Sequence, residues 1–191
     1  MQSSVRQASL PQLIPLFEQL TREIDRRLGH LSAIQLNWRP NPEEWSLGQC
    51  LEHLIIANRA YFVPLEQLLA GQKPTTIWER LPVAPALFAR LLIDALEPAA
   101  NRRVQAPKIF QPGQSAVERQ ILTTFAQQQQ RMVELMRACE RLDAANIIIT
   151  SPIAAFVTYS LLDAFRIIVV HAQHHLAQTV KLLSLPEFPP R

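Results

Sequence analysis

Residues 159–183 decide the fold, and they read YSLLDAFRIIVVHAQHHLAQTVKLL. Apolar residues recur there at three- and four-residue steps, which is the spacing of one face of an α-helix. Three prolines between residues 186 and 190 prevent the helix from continuing. Asp163 and Arg166 interrupt its most apolar part, which is too short and too charged to cross a bilayer. The stretch therefore predicts a long amphipathic helix in a protein that does not span a membrane.

Three earlier stretches show the same periodicity and predict long helices over residues 13–28, 46–69 and 115–142. Two of them open on patterns typical of a capping box, Ser46 with Gln49 and Ser115 with Glu118. Pro64 should kink the second helix, because proline lacks a backbone N–H and crowds the preceding turn.

Residues 72–113 have a different character from the helical stretches. Six prolines interrupt them, and only residues 86–96 have a helical pattern. We interpret the segment as a long crossover carrying a short helix packed over one side of the helices. Connections of this length are uncommon unless they are functional, so we expect the crossover to act as a lid.

These elements predict one all-α domain over residues 1–191, built as a four-helix bundle with one long crossover. Hydrophobic residues make up 48% of the chain, which is enough for a core without disulfides. No internal repeat or second core is visible. The nearest strand candidate is residues 147–149, and it is very short.

Composition excludes several classes of function. The net charge of +3 comes from scattered basic residues, so we expect no binding to nucleic acid. Glycine is scarce and no phosphate-binding glycine motif is present. Cys50 and Cys139 are far apart, which favours free buried thiols in a reducing compartment. The first residues lack the apolar core of a signal peptide, and we therefore expect a cytoplasmic protein.

The histidines are the sharpest functional signal. His171 and His175 lie four residues apart, so both rings point inward from one side of the last helix and form half of a metal site. His174 lies further round, towards the surface. His53, on the second helix, is the candidate third ligand, whereas His30 lies just past the first helix. Each of the inward histidines taken alone also fits a buried residue with a hydrogen-bond partner.

Two motifs resemble a known family. Residues 44–54 read EWSLGQCLEHL and residues 171–178 read HAQHHLAQ, and together they resemble the DinB/YfiT-like superfamily of metalloenzymes. The segment Ala106-Pro107-Lys108 with Pro112 is similar to the one that precedes the third helix in one branch of that superfamily.

The resemblance implies a bundle with an up-down-down-up course, and often a homodimer. It also implies that a histidine of the second helix and a pair on the last helix bind a divalent metal ion, commonly zinc or nickel. By position these ligands are His53, His171 and His175. Some relatives are thiol-dependent transferases or isomerases.

Three imidazole ligands leave a coordination position open, which is typical of a catalytic metal. Zinc or nickel is expected there, and iron is a further candidate. Such an ion would activate either water or a small thiol towards a small-molecule substrate. Neither Arg59 nor Arg166 lies on the histidine side, so we expect no cation there to receive a substrate carboxylate.

Four residues near the histidines are candidates to line a pocket or to orient a ligand: Gln49, Asn58, Tyr61 and Gln178. Gln49 also serves the predicted cap, and Asn58 is an unusual polar residue on an apolar face that needs a partner. Glu52 adjoins His53 but points about 100° away on a helix, so it reads better as a solvated carboxylate than as a general base.

Three hypotheses remain open at this point. The first is a metal-dependent hydrolase or thiol-dependent transferase, and it predicts a pocket over the histidines. The second is a metal-binding or stress-response protein without turnover, which predicts metal but no substrate-sized pocket. The third is a helical interaction module whose histidines are only core residues.

Overall fold

The structure is a computed structural model that describes residues 2–80, 85–97, 106–113 and 115–190. It is mostly helical with one small two-stranded sheet. Its helices are α1 (Gln2–Gln7), α2 (Leu10–Leu28), α3 (Ala33–Asn37), α4 (Leu47–Arg59), α5 (Phe62–Leu69), α6 (Ile77–Arg80), α7 (Pro85–Leu96), α8 (Ile121–Cys139) and α9 (Leu161–Leu183), with a 3-10 turn at Lys108–Phe110. Its strands are β1 (Ile148–Thr150) and β2 (Thr158–Ser160). Within these ranges, the helices fall short of the combined length and apolarity that crossing a membrane requires.

The four long helical segments pack against one another over two clusters of buried apolar side chains. Helix α2 contacts α8 and α9, and α4 contacts the same two helices. The fully buried side chains at their contacts are large and apolar: Leu13, Phe17, Leu51, Leu54, Met132, Met136 and Phe165. The apolar periodicity of the sequence predicted these helices because the apolar face of each one packs against the apolar face of a neighbouring helix.

The predicted first, last and crossover helices are confirmed to within three residues. Helix α9 begins at Leu161 because the Ser160 hydroxyl accepts a hydrogen bond from the Asp163 N–H at 3.0 Å. The short helix of the crossover is α7, as its pattern predicted.

The predicted second helix is two helices. Helix α4 ends at Arg59 and α5 begins at Phe62, so the interruption lies just before Pro64. Pro64 falls in the first turn of α5, where its missing N–H has no helical partner to lose. The predicted kink is thus a break between two helices.

The predicted start of the third helix is wrong. Residues 115–118 are not helical, and α8 begins only at Ile121. The side chain of Asn37 holds Val117 instead: the Val117 N–H donates to Asn37 Oδ1 at 2.8 Å, and Asn37 Nδ2 donates to the Val117 carbonyl at 2.8 Å. These two bonds hold Val117 in non-helical backbone before α8, and Ser115 and Glu118 form no capping box.

The all-α prediction also missed a hairpin. Strands β1 and β2 pair antiparallel, with Ile149 opposite Tyr159. Helix α7 packs against β2, and Tyr159 is fully buried there. The hairpin is tied to the start of the crossover, because the Thr150 hydroxyl donates to Glu79 at 2.7 Å and Lys73 pairs with the same carboxylate at 2.6 Å.

Candidate metal centre

Helix α4 positions the first of the three histidines. Its start is fixed by a complete capping box, in which the Gln49 N–H donates to the Ser46 hydroxyl and the Ser46 N–H donates to Gln49 Oε1, both at 3.1 Å. From that start His53 lies on the buried side of the helix, 4% exposed. Helix α9 presents His171 and His175 one turn apart, and His175 is also 4% exposed.

The three rings converge on one point. His171 Nε2 lies 2.9 Å from His53 Nε2 and 3.0 Å from His175 Nε2. These three residues form a group whose ligand atoms lie close enough together to hold a metal ion. The histidines singled out by their sequence spacing are therefore side by side in the fold.

A backbone carbonyl sets the tautomer of His53. Its Nδ1 lies 2.7 Å from the Phe110 carbonyl, which can only accept, so Nδ1 carries the proton. The Nε2 atom of a neutral ring is then a bare lone pair directed at the other two histidines. A ring held through its other nitrogen is the usual arrangement for a metal-binding histidine.

Burial keeps the rings neutral. It is the main cause that lowers the pKa of His53, His175 and His171, in the last case to about 3. Repulsion between neighbouring imidazoles lowers each pKa further. Neutral imidazole is the form that binds a metal.

Hydrogen bonds alone cannot satisfy these three rings. His171 Nε2 must donate to the lone pair on His53 Nε2. Its contact with His175 Nε2 is then a hydrogen bond only if His175 Nε2 accepts, which requires the proton of His175 to be on Nδ1. That Nδ1 is buried and has no hydrogen-bond partner. A divalent cation would accept all three lone pairs, and tetrahedral zinc at ~2.0–2.1 Å from each ligand implies nitrogens about 3.3 Å apart. The two spacings to His171 Nε2, 2.9 and 3.0 Å, are within about half an ångström of that value, and all three ligand atoms lie within 4.8 Å of one another, so the residues fit a metal ion.

A cavity of about 1000 Å³ lies over the histidines. The crossover forms one wall, with contributions from α7 and from residues 106–111. Trp45 borders the histidines from the other side, with its ring centroid 5.0 Å from that of His53 and stacked 6.4 Å from His175. Most of the remaining lining is aliphatic: Ala57, Leu92, Leu96, Pro107, Ile153, Ile167, Ile168 and Leu182.

Three of the four other candidate residues line the cavity, and the fourth does not. Asn58, Tyr61 and Gln178 line the cavity. Gln49 is outside its lining, because the side chain completes the cap and donates to the Gly113 carbonyl at 3.0 Å. The Tyr61 hydroxyl is hydrogen-bonded to the Tyr159 hydroxyl at 2.7 Å.

Some residues near the site were misjudged or missed from sequence. His174 is partly exposed, as its helical position predicted, and it also lines the cavity, with its Nε2 2.9 Å from Gln178 Nε2. Lys181 lies at the rim, so a cation is present on the histidine side after all. Glu52 accepts a hydrogen bond from the Gly113 N–H at 3.0 Å and lies outside the cavity lining. Trp45 follows two glutamates and precedes a cap, and that position gave no sign of its contact with two histidines.

Comparison with known proteins agrees with the histidine geometry. The model of the DinB superfamily matches residues 16–179, which include all three histidines, the whole of α4 and most of α9. No curated protein and no solved structure matches the chain. Because the match covers most of its length, the chain belongs to the DinB superfamily.

Proposed function

We propose that this protein is a divalent-metal-dependent enzyme of the hydrolase or thiol-dependent transferase class. The metal ion would be held by His53, His171 and His175, and zinc or nickel suits three neutral imidazoles, with iron a further candidate. The observation that carries the proposal is the convergence of three Nε2 atoms, 2.9 and 3.0 Å apart, beneath a cavity of about 1000 Å³.

The donor set favours catalysis over a structural role. Structural zinc sites are usually closed by four protein ligands, whereas three protein ligands leave room for a reactant. A bound divalent ion supplies Lewis acidity, which makes water or a small thiol a nucleophile at neutral pH. The organic substrate would lie in the cavity, against the aliphatic wall.

The surrounding residues would orient the ligands and exclude water. The Phe110 carbonyl holds the proton of His53 on Nδ1. Trp45 packs against two of the rings and shields them from solvent. Gln178 would orient a ligand or a ring from within the cavity, and Gln49 would act only indirectly through the start of α4.

The crossover over residues 72–113 would serve as a lid. Leu92, Leu96 and Phe110 belong to it and line the cavity. Because the same segment supplies the carbonyl that binds His53, its movement would change both access to the site and the orientation of one ligand.

The larger-scale parts of the proposal rest on the family and on the packing of the helices. We propose a single domain with an up-down-down-up course, which agrees with α2 and α4 each contacting both α8 and α9. We also propose that the protein is a cytoplasmic homodimer. It would act on a small molecule and would have neither nucleic acid nor a membrane as a partner.

Two alternatives make different predictions. A metal-binding or stress-response protein without turnover needs no substrate-sized space, and the cavity argues against it. A helical interaction module needs its histidines only as core residues, and the unsatisfied Nδ1 of His175 argues against that reading.

Turnover by the metal-loaded protein tests the proposal. We expect zinc- or nickel-loaded protein to hydrolyse members of a p-nitrophenyl ester panel, or to join a small thiol to a chlorodinitrobenzene with loss of chloride. The activity should disappear in His53→Ala and persist in His30→Ala, whose histidine is outside the metal group. Stoichiometric metal with no reaction in either panel would favour the non-catalytic alternative.

A further inference from the structure

Asn58 is a buried amide with an unused donor. The residue is 1% exposed, and its Nδ2 has no hydrogen-bond partner. A buried amide N–H without an acceptor is costly, so such groups are rare and call for an explanation. Asn58 also lines the cavity over the histidines, but its Nδ2 has almost no accessible surface in this conformation, so the amide must turn to bring the donor to a ligand.

Much of the cavity that Asn58 lines is aliphatic. Ile167 and Ile168 line the cavity from α9, and Ile153 lines it from the hairpin loop. Tyr61, which directly precedes α5, already uses its hydroxyl in the 2.7 Å bond to Tyr159. The terminal torsion of an asparagine is broad, so the amide can turn towards a ligand at little cost.

The position of Asn58 sets a distance from the reactive end of the cavity. It follows His53 by five residues on the same helix, which corresponds to a rise of about 7.5 Å along the axis. A molecule in contact with both residues would therefore present one group to the histidines and a second group about one and a half helical turns further along α4.

We propose that Asn58 determines specificity by donating a hydrogen bond to a neutral acceptor oxygen on an otherwise apolar substrate. The substrate class is an uncharged organic molecule with a carbonyl, ester or ether oxygen at the opposite end of an apolar framework from its reacting group. This inference rests on the proposed function, because it assigns the second end of the same substrate.

A matched pair of ligands tests the contact. The probes are 2-acetylnaphthalene and 2-isopropylnaphthalene, which have similar shapes and differ in the carbonyl oxygen. Their Kd values are measured by titration calorimetry with the zinc-loaded wild type, with Asn58→Leu and with Asn58→Ala. We expect the preference for the ketone to fall about five- to tenfold in both variants, which is the usual net value of one hydrogen bond.

A second buried amide provides the control. Gln129 is 1% exposed and its Oε1 is unpartnered, but it lies on α8 outside the cavity lining. Gln129→Leu should therefore leave the preference for the ketone unchanged. The infrared carbonyl stretch of bound, ¹³C-labelled ketone should lie at lower frequency in wild type and Gln129→Leu than in Asn58→Leu, which a purely structural role of Asn58 would not produce.

Several outcomes would overturn the inference. An unchanged preference in both Asn58 variants, an equal loss in Gln129→Leu, or no binding of either naphthalene would each do so. The metal content of the same samples is measured separately. Loss of the ketone preference without metal or turnover would refute the proposed function alone, whereas metal and turnover with no change in preference would refute the role of Asn58 alone.

Discussion

One proton on His53 links the crossover to the metal centre. The Phe110 carbonyl accepts it from Nδ1 at 2.7 Å, and this leaves Nε2 to face His171 at 2.9 Å. Sequence spacing brought the three histidines together but gave no sign of the carbonyl, because a backbone acceptor 57 residues away has no signature of its own. The identity of a ligand is thus visible at the residue scale in sequence, but its tautomer is not.

The neutral histidines should make the metal-free protein sensitive to acid. Unfolded histidine gains a proton below about pH 6.5, whereas burial lowers the folded pKa of His53 and His175, and that of His171 to about 3. Unfolding therefore takes up protons in this window. The histidines therefore do not reduce the free energy of unfolding above pH 6.5. Below that pH the free energy of unfolding should fall towards pH 3, by about 1.4 kcal/mol per pH unit for each histidine that stays neutral in the folded protein.

Urea unfolding of EDTA-treated protein at a series of pH values measures this dependence. His171→Leu should show a shallower decline than wild type, while His30→Gln should retain the wild-type slope. A free energy that does not change between pH 7 and pH 5 would contradict the neutral, buried state of the three rings.

Trp45 should report metal binding directly. Its ring centroid lies 5.0 Å from that of His53, so a quenching ion such as nickel at the histidines would act at contact range. We expect nickel to reduce the tryptophan fluorescence, and Trp45→Phe to lose most of that change. Trp38→Phe serves as the matched control, since Trp38 packs on Phe188 instead. Equal quenching in wild type and Trp45→Phe would place the ion elsewhere.

At the scale of elements, the close approach at Gly48 fixes how α4 sits in the fold. A Cβ at this position would lie 2.1 Å from Val117 Cγ2 and 3.1 Å from the Leu36 carbonyl oxygen. The two hydrogen bonds to Asn37 hold the backbone of Val117, so the clash must be relieved by its side chain or by a shift of α4. Glycine is therefore needed for the space that it leaves rather than for its backbone freedom.

Gly48→Ala should destabilise the protein by about 1–3 kcal/mol, as overpacking of a core does. Val117→Ala in the same chain should recover part of the loss, because it removes the Cγ2 atom but not the contact with Leu36. Gly113→Ala is the control, since its Cβ would meet only Glu52 at an ordinary 3.5 Å. Chemical denaturation of the four proteins gives the comparison, and a neutral Gly48→Ala would contradict the packing described.

The elements that sequence predicted are those whose formation depends on local pattern. Helices α2, α7 and α9 follow from apolar periodicity, and the start of α4 follows from Ser46 and Gln49. The start of α8 could not be predicted, because a side chain 80 residues away competes for the backbone of Val117. The hairpin was missed for a related reason, since a three-residue strand depends on its partner more than on its own residues.

At the scale of the whole molecule, the cavity is the feature that sequence could not supply. Its wall combines α4 and α9 with the crossover and the loop after β1, and only the folded chain brings these parts together. Besides the three histidines, the sequence identified the lining residues Asn58, Tyr61 and Gln178 from their helical positions. It missed Trp45 and Lys181, whose positions depend on how the elements are arranged.

Metal content tests the central claim most directly. Untagged protein, purified gently without chelators, is compared by mass spectrometry with a His171→Ala, His175→Ala double variant whose helical content is checked by circular dichroism. The account predicts close to one zinc or nickel ion per chain in the wild type, and its loss in a variant that remains folded. The absence of metal from the wild type, even after reconstitution with zinc, nickel and iron, would contradict it.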